Sequence, residues 1–286
     1  MPTDPPPSPI TLEQIVAHKR REVEADKAKT SLDELKEMIS ELGRPRNFFK
    51  AVTTPGRSGR TAVIAEVKRK SPSAGLIRQE YAGDSFDPAA IGRRYHANGA
   101  SAISCLTDEK YFDGSIEFIH QIRDAIPLPV LRKDFIIDPW QVWQSRAFGA
   151  DAILLIAECL TEGELVDLMI LAHEMHLTTL VEVHSMDNLL RIRPHVSFPA
   201  RSYMLLGINN RDLATMSVDL NQTIRLADMV EDKHILVSES GIKEKADIDR
   251  LRTVGVRTVL VGESLMRAGD PGAALAQLLG KAAVNN

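Results

Sequence analysis

The sequence predicts a (β/α)8 barrel, a closed ring of eight parallel strands surrounded by helices, with a short helical extension in front of it. Eight short apolar runs follow Arg60, and an amphipathic stretch follows each run. The runs start roughly 22 to 40 residues apart, the size of one strand with its crossover helix. The chain has 286 residues, which suits one such barrel of roughly 250 residues.

Each predicted strand is rich in aliphatic or β-branched residues, as expected for parallel strands that helices cover. Gly99-Ala100 and Gly149-Ala150 stand directly before two of the strands, where a helix has to end and a strand begin. We expect the strands at Thr61–Lys68, Ser101–Thr107, Pro129–Asp134, Ala152–Ile156, Thr178–Val183, Tyr203–Asn209, Ile235–Glu239 and Thr258–Gly262.

Residues 10–58 predict helices that cover the barrel. Thr11-Leu12-Glu13-Gln14 and Ser31-Leu32-Asp33-Glu34 each have the sequence of a capping box, which opens a helix. About 50 residues, many of them charged, give too small a core to fold alone. The charged stretch Lys19–Lys29 is interpreted as a solvated helix face. We therefore expect one domain over residues 10–286, and a disordered proline-rich tail in residues 1–9.

Composition argues against several classes of partner. The formal net charge of −4 gives no overall attraction to nucleic acid or anionic lipid. No apolar run approaches the ~20 residues of a membrane-spanning helix, and the N-terminus lacks the features of a signal peptide. Cys105 and Cys159 lack ligand spacing, and His173 with His176 lacks a zinc pattern. We expect a cytoplasmic protein with no metal and no nucleic-acid or membrane partner.

Charged and polar side chains stand where the predicted strands end. Glu66 and Lys68 are two residues apart, so they project from the same face of the first strand. Lys133, Glu182 and Asn209 stand at the ends of the third, fifth and sixth strands. Barrel enzymes work at the carboxyl ends of their strands. The five residues therefore predict one active site.

Glycines directly after the last two strands predict a phosphate site. Ser240-Gly241 follows the seventh strand, and Gly262-Glu263 follows the eighth. Each pair exposes backbone N–H groups, and the helix that follows adds partial positive charge at its N-terminus. Two such positions on adjacent strands favour a phosphorylated small molecule as the ligand.

In their order and spacing, these motifs resemble the indole-3-glycerol-phosphate synthase family of tryptophan biosynthesis. Each motif is short, but the whole series is specific and covers most of the chain after the proline-rich tail. The matching segments are Ala65–Ser73, Cys105–Asp108, Phe112–Ser115, Leu131–Asp134, Leu180–His184, Gly207–Leu213, Ser238–Ile242 and Val261–Arg267.

The resemblance implies a carbon–carbon lyase, more narrowly a carboxy-lyase, that uses no cofactor. Its substrate would be 1-(2-carboxyphenylamino)-1-deoxyribulose 5-phosphate, and closing the indole ring would release carbon dioxide and water. By this resemblance Lys133 is the general acid, and Glu182 is the base or stabilises a cation. Glu66 and Lys68 act in the dehydration, and Asn209 orients Glu182 or an intermediate. Whether Glu182 or Glu66 accepts the proton in the dehydration stays open.

The resemblance also implies which residues bind the substrate. Arg211 would pair with the anthranilate carboxylate, which a guanidinium binds in a bidentate manner. Ser71 would assist from its loop, and Phe135 with Leu131 would form an apolar wall against the aromatic ring. The phosphate positions are Ser240, Gly241, Gly262 and Glu263, the last through its backbone N–H. A weak association with other enzymes of the tryptophan pathway stays open.

Each assignment has a structural alternative. Charges at strand ends can be ion pairs that only stabilise the fold. Arg211 can instead cap its loop through Asp212. His184, which has the same parity as Glu182, is interpreted as a satisfied surface or loop histidine.

Two other functions are considered. The first is a sugar-phosphate isomerase on the same barrel, such as phosphoribosylanthranilate isomerase, which would be expected to use a cysteine and an aspartate where this chain has Glu66 and Lys68. The second is a catalytically inactive barrel that binds phosphate. It would be expected to lack Lys133 or Glu182, and both residues are present.

Overall fold

Eight parallel strands close into a barrel in the computed structural model, which describes residues 11–196, 198–200, 203–212 and 215–284. Each strand pairs with the next along the chain, and the last pairs with the first. The strands are β1 (Ala62–Val67), β2 (Ala102–Leu106), β3 (Val130–Lys133), β4 (Ala152–Ile156), β5 (Thr178–Val183), β6 (Met204–Asn209), β7 (Leu236–Glu239) and β8 (Thr258–Val261). The predicted (β/α)8 barrel is confirmed.

All eight predicted strands form. β4 and β5 have the predicted bounds. The other strands lie slightly inside their predicted bounds at one or both ends, because residues at the turns leave the hydrogen-bonded ladder. Every residue of the eight barrel strands is buried except Lys133, which is half-buried at the end of β3; a separate short hairpin, Lys70–Ser71 with Gly75–Leu76, follows β1. The strands are apolar because helices cover the outside of the barrel and side chains fill its inside.

Helices surround this barrel. They are α1 (Leu12–Lys29), α2 (Leu32–Ser40), α3 (Phe48–Arg57), α4 (Pro88–Ala97), α5 (Glu109–Phe112), α6 (Glu117–Ala125), α7 (Pro139–Ala147), α8 (Glu162–Glu174), α9 (Met186–Ile192), α10 (Asn221–Ala227), α11 (Lys245–Thr253), α12 (Glu263–Arg267) and α13 (Pro271–Leu278). Among the described helices, none combines the length and apolar character that crossing a bilayer requires.

The N-terminal helices begin as the sequence predicts and pack on the barrel. Both capping boxes are present, at Thr11 and at Ser31. α3, which the sequence analysis did not predict, lies at the amino-terminal end of the barrel, where Thr258 Oγ1 donates a hydrogen bond to the Val52 carbonyl at 3.1 Å. The tail predicted for residues 1–9 lies outside the described residues, and the single domain over residues 10–286 stays a prediction.

The interpretation of Lys19–Lys29 as a solvated face is wrong for Lys19. The side chain of Lys19 is only 1% exposed, and its Nζ lies 2.9 Å from both Asp108 and Asp134. These aspartates follow β2 and β3, so α1 reaches the carboxyl-terminal rim of the barrel. Lys19 stands four residues from both Ile15 and Val23, the other buried residues of α1, so helical periodicity was the available signal for its burial.

Candidate active site

The first strand brings an acid and an amine together, as its alternation predicts. Glu66 is buried, and Lys68 Nζ lies 2.5 Å from its Oε1. On the adjacent strand β8, a Cβ atom at Gly262, the residue after Val261, would overlap the Glu66 carboxyl group. Gly262 therefore provides the space that the Glu66 side chain occupies, a role the sequence analysis did not assign to it.

Lys133, Glu182 and Asn209 meet at the centre of the rim. Lys133 Nζ lies 3.4 Å from Glu182 Oε2, and Asn209 Nδ2 donates to Glu182 Oε1 at 3.2 Å. These side chains come from β3, β5 and β6, so the barrel brings together residues that are far apart in the sequence. The prediction that they share one site is consistent with these distances.

Glu239, at the end of β7, completes this cluster although the sequence analysis did not name it as a site residue. Its side chain is fully buried, and its Oε2 lies 3.9 Å from Lys133 Nζ. Neither of its carboxyl oxygens has a hydrogen-bond donor among the described residues. A Cβ atom at Gly207 would overlap this carboxyl group, so glycine is required opposite it. Its position at a strand end was the available sequence signal.

The pKa values of the two glutamates beside Lys133 are shifted in opposite directions. Burial opposes the charged form of Glu182, but Lys133 and His184 outweigh it and hold the pKa of Glu182 well below its usual range. Burial and the charge of Glu182 raise the pKa of Glu239 well above its usual range. Burial likewise opposes the charge of Lys133, but the surrounding carboxylates raise the pKa of Lys133. At neutral pH the cluster thus holds the Lys133 ammonium and the Glu182 carboxylate, and Glu239 is the carboxyl group that binds a proton more readily.

The interpretation of His184 as a satisfied loop histidine agrees with its place directly after β5, but the side chain does not lie at the surface. Its side chain is 7% exposed and lies between two carboxylates, with Nδ1 3.1 Å from Glu158 Oε2 and Nε2 3.2 Å from Glu182 Oε1. Burial opposes its charge, but the two glutamates raise the pKa of His184 to about 10. The parity of His184 with Glu182 was the signal for this position.

The residues predicted to bind the substrate are less tightly grouped. Arg211 lies between the two predicted sites, with Nη2 3.3 Å from Glu263 Oε2. The hydroxyl of Ser71 accepts a hydrogen bond from Ala74 N within its own turn, at 3.2 Å. Phe135 lies beside Phe112, with ring centroids 6.3 Å apart. Leu131 is fully buried in the core, one inward-facing position below Lys133 on β3.

The predicted phosphate positions lie on adjacent strands, as expected. Ser240 and Gly241, directly after β7, have φ values of 65° and 80°, which turn the backbone sharply. Gly262 caps the short helix α12 after β8. The carboxylate of Glu263 pairs with Arg211 and with Arg267.

Comparison with known proteins gives the family. The family model described as indole-3-glycerol phosphate synthase matches residues 12–278. The chain belongs to the indole-3-glycerol phosphate synthase family. It is 44% identical over 269 residues to the indole-3-glycerol phosphate synthase of Rhodospirillum rubrum, which covers 94% of this chain and 98% of that protein. It is 45% identical to the Neisseria gonorrhoeae protein of the same name, over 93% of this chain and 98% of that protein.

Solved structures agree with the barrel of this synthase family. A 3-hexulose-6-phosphate synthase from Salmonella typhimurium matches with a TM-score of 0.59 and 14% identity, over 77% of this chain and 97% of that chain. The tryptophan synthase alpha subunit from Legionella pneumophila matches with a TM-score of 0.56 and 15% identity, over 82% and 96%. At these identities the likeness concerns the fold alone.

Proposed function

We propose that this site closes the indole ring of 1-(2-carboxyphenylamino)-1-deoxyribulose 5-phosphate, with loss of carbon dioxide and water, as an indole-3-glycerol phosphate synthase. The observation that carries the proposal is a partly buried ammonium group, that of Lys133, facing the ionised Glu182 at the rim of a barrel of this family. The ligand is a phosphorylated small molecule. A cytoplasmic location and an association with other pathway enzymes stay predictions.

Lys133 acts as the general acid in this proposal. Its Nζ donates a proton to the carbonyl oxygen of the substrate while the aromatic ring carbon attacks the carbonyl carbon, which forms the new carbon–carbon bond. The attack places positive charge on the ring system, and the carboxylate of Glu182, 3.4 Å from Nζ, stabilises it. Carbon dioxide then leaves and the positive charge is neutralised.

The dehydration that follows needs an acid and a base. Lys68 and Glu66 form a pair at 2.5 Å, which can give a proton to the leaving hydroxyl group and take one from the intermediate. Two neighbouring cations hold the pKa of Glu182 low, so Glu182 is a weak proton acceptor. We therefore assign the base to Glu66, and to Glu182 the stabilisation of charge. Asn209 orients Glu182 through the hydrogen bond of 3.2 Å.

The substrate spans the rim between these acids and the phosphate positions. The phosphate would lie at the backbone N–H groups of Ser240, Gly241, Gly262 and Glu263. Arg211 is close enough to pair with either anionic end of the substrate after it leaves Glu263. Phe135 and Ser71 complete the wall on the opposite side, and Leu131 supports Lys133 from below.

A fluorescence assay tests this function. Purified protein is mixed with the substrate, and indole emission is followed for the wild type, Lys133→Ala, Lys133→Arg and the control Lys50→Ala, which alters an exposed lysine on α3. We expect turnover in the wild type and the control. Lys133→Arg keeps the charge but is a poor proton donor, so both Lys133 variants should lose roughly 10²-fold or more in kcat.

Binding of the substrate separates chemistry from folding. Titration of each folded variant with substrate should still show saturation, since the phosphate positions are unchanged. No indole from a folded wild type that binds the substrate would refute the proposed activity. Turnover that persists in Lys133→Ala would refute the role of the lysine.

A further inference from the structure

We propose that His184 and Glu158 form a positioning pair that holds the Glu182 carboxylate in place and supplies a second fixed positive charge beside it. The inference rests on the proposed function, because it concerns how Glu182 stabilises charge during ring closure. Neither residue was assigned a role by the sequence motifs.

The barrel geometry brings His184 to Glu182. Side chains two positions apart at the end of a strand point to the same side, and His184 directly follows β5, which contains Glu182. His184 Nε2 lies 3.2 Å from Glu182 Oε1, the same oxygen that accepts a hydrogen bond from Asn209 Nδ2. Glu182 Oε2 faces Lys133. Each oxygen of Glu182 therefore faces its own cation.

Glu158 fixes the other side of the imidazole ring. Its Oε2 lies 3.1 Å from His184 Nδ1, and its Oε1 accepts hydrogen bonds from His184 N at 2.9 Å and Asn188 Nδ2 at 2.8 Å. Glu158 thus lies within hydrogen-bond distance of Nδ1, whereas Nε2 makes no hydrogen bond among the described residues and contacts Glu182 by distance and charge. Two carboxylates on opposite sides of the ring favour its doubly protonated, positive form, and the raised pKa of His184 agrees with this.

The titratable groups that face this pair come from four strand ends. Glu158 follows β4, Glu182 lies near the end of β5, Lys133 ends β3, and Glu239, whose pKa is raised, ends β7. Gln222 adds a neutral clamp from α10, because its Nε2 donates to the carbonyl oxygens of His184 at 2.7 Å and of Asn209 at 2.9 Å. This clamp fixes the backbone on both strands that carry the contacts to Glu182.

Loss of the imidazolium should change the pH dependence of the reaction. In His184→Gln, Glu182 loses one of its two cations, so its pKa rises and it is protonated at higher pH. An opposite charge within about 4–6 Å lowers the pKa of a carboxyl group by roughly 1–3 units. We expect the acidic limb of the kcat/KM profile to move upward by about one pH unit or more, with kcat falling roughly 10-fold.

Glu158→Gln should act differently, because Glu158 works through the ring. Without it His184 faces only Glu182, so the pKa of His184 falls and the ring loses its proton in alkaline solution. We expect a new loss of activity on the alkaline limb, while activity near neutral pH is less affected. In the variant that carries both His184→Gln and Glu158→Gln, the loss of activity on the alkaline limb should disappear, since no imidazole ring remains to titrate.

The matched control is a histidine–glutamate pair away from the cluster. His195 Nε2 lies 2.7 Å from Glu162 Oε1 at the surface, where the glutamate is 58% exposed. His195→Gln should leave the pH profile unchanged, so a shift seen in it would mean that the readout is not specific to the cluster at Glu182.

Nitrogen NMR of the labelled wild type gives a second measurement that needs no turnover. His184 should show the chemical shifts of an imidazolium at pH 8, and neutral-ring shifts at that pH would overturn the proposal. If the wild type forms indole and His184→Gln keeps the wild-type pH profile, only this inference fails; if the wild type forms none, the proposed function fails. Where His184→Gln does not fold, the alkaline limb of Glu158→Gln decides.

Discussion

Lys19→Met tests whether the N-terminal helix α1 is an integral part of the fold. Lys19 Nζ contacts Asp108 and Asp134 at 2.9 Å, and the lysine is 1% exposed. Methionine has a similar length and suits a buried site, but it leaves both aspartates without this cation. Asp134 directly follows the proposed general acid, so the substitution also perturbs the segment that carries Lys133.

The expected loss in the free energy of unfolding depends on the partners that the two aspartates keep in Lys19→Met. Removing one partner of a buried ion pair typically costs about 3–5 kcal/mol. Asp134 keeps Arg132 at 3.0 Å and Thr107 at 2.6 Å, and Asp108 keeps the N–H of Tyr111 at 2.7 Å. The loss should therefore lie near the lower end, about 3 kcal/mol. An unfolding entropy of about 2.1 cal/mol/K per residue converts this to a fall in Tm of about 5 °C.

The pH dependence has a definite sign. Burial opposes the charge of Asp134, but Lys19 and Arg132 outweigh it and hold the pKa of Asp134 below its usual range. Such a group contributes stability that is present above its unfolded pKa and is lost as pH falls through the folded one. Lys19→Met weakens this contribution, so the difference from the wild type should be largest at pH 7 and should narrow below about pH 4.

Urea unfolding at pH 7 and at about pH 3, followed by circular dichroism, measures the loss of stability and its pH dependence. The control is Lys29→Met on the same helix, where the lysine is 73% exposed and pairs only with Asp26. We expect this control to unfold at the same urea concentration as the wild type at both pH values, because water and salt screen an exposed pair. A loss below about 1 kcal/mol for Lys19→Met, or one that does not depend on pH, would refute the reasoning.

Three further substitutions test the rim. Gly262→Ala should lower kcat at least about 10-fold, because its Cβ displaces the carboxyl group of Glu66; kinetics with the indole assay measure it. Glu239→Gln should unfold at higher urea concentration than the wild type at pH 8, and the gain should shrink at pH 5. Because the fold raises the pKa of Glu239, the unfolded chain loses the Glu239 proton at a lower pH than the folded chain does, and the wild type becomes less stable as the pH rises. The amide of the variant does not ionise in either state, so this loss of stability is absent. Glu263→Gln should lower KM roughly threefold at low salt, because it frees Arg211 and removes an anion beside the phosphate positions.

Controls and contrary outcomes are available for these variants. Gly269→Ala adds its methyl group to open space and should keep wild-type kinetics. An unchanged kcat in Gly262→Ala would show that catalysis does not depend on the observed position of the Glu66 carboxyl group. A Glu239→Gln protein less stable than the wild type at pH 8 would show that Glu239 is ionised in the fold. An unchanged KM in Glu263→Gln at low salt would show that the Glu263 carboxylate does not weaken binding of the substrate phosphate.

The strand ends were the most predictable part of the site. Alternation placed Glu66 and Lys68 on one face, and they form a pair at 2.5 Å. Strand order placed Lys133 and Glu182 on the same rim, where they lie 3.4 Å apart. Glu239 stands at an equivalent strand end, but nothing in its local sequence shows whether such a buried carboxyl group belongs to the site or only stabilises the fold.

The sequence by itself determined the barrel, its strands and the end at which polar groups gather, because these depend on local periodicity and on the short connections between neighbouring strands. Only the tertiary structure decided which charges meet and how each shifts the pKa of the others. The local sequence of His184 does not show that Glu158 and Glu182 lie at its ring nitrogens, and that of Lys19 does not show that its partners are Asp108 and Asp134. The physical reason is that Coulomb energy and desolvation depend on distances in space between residues that are far apart along the chain.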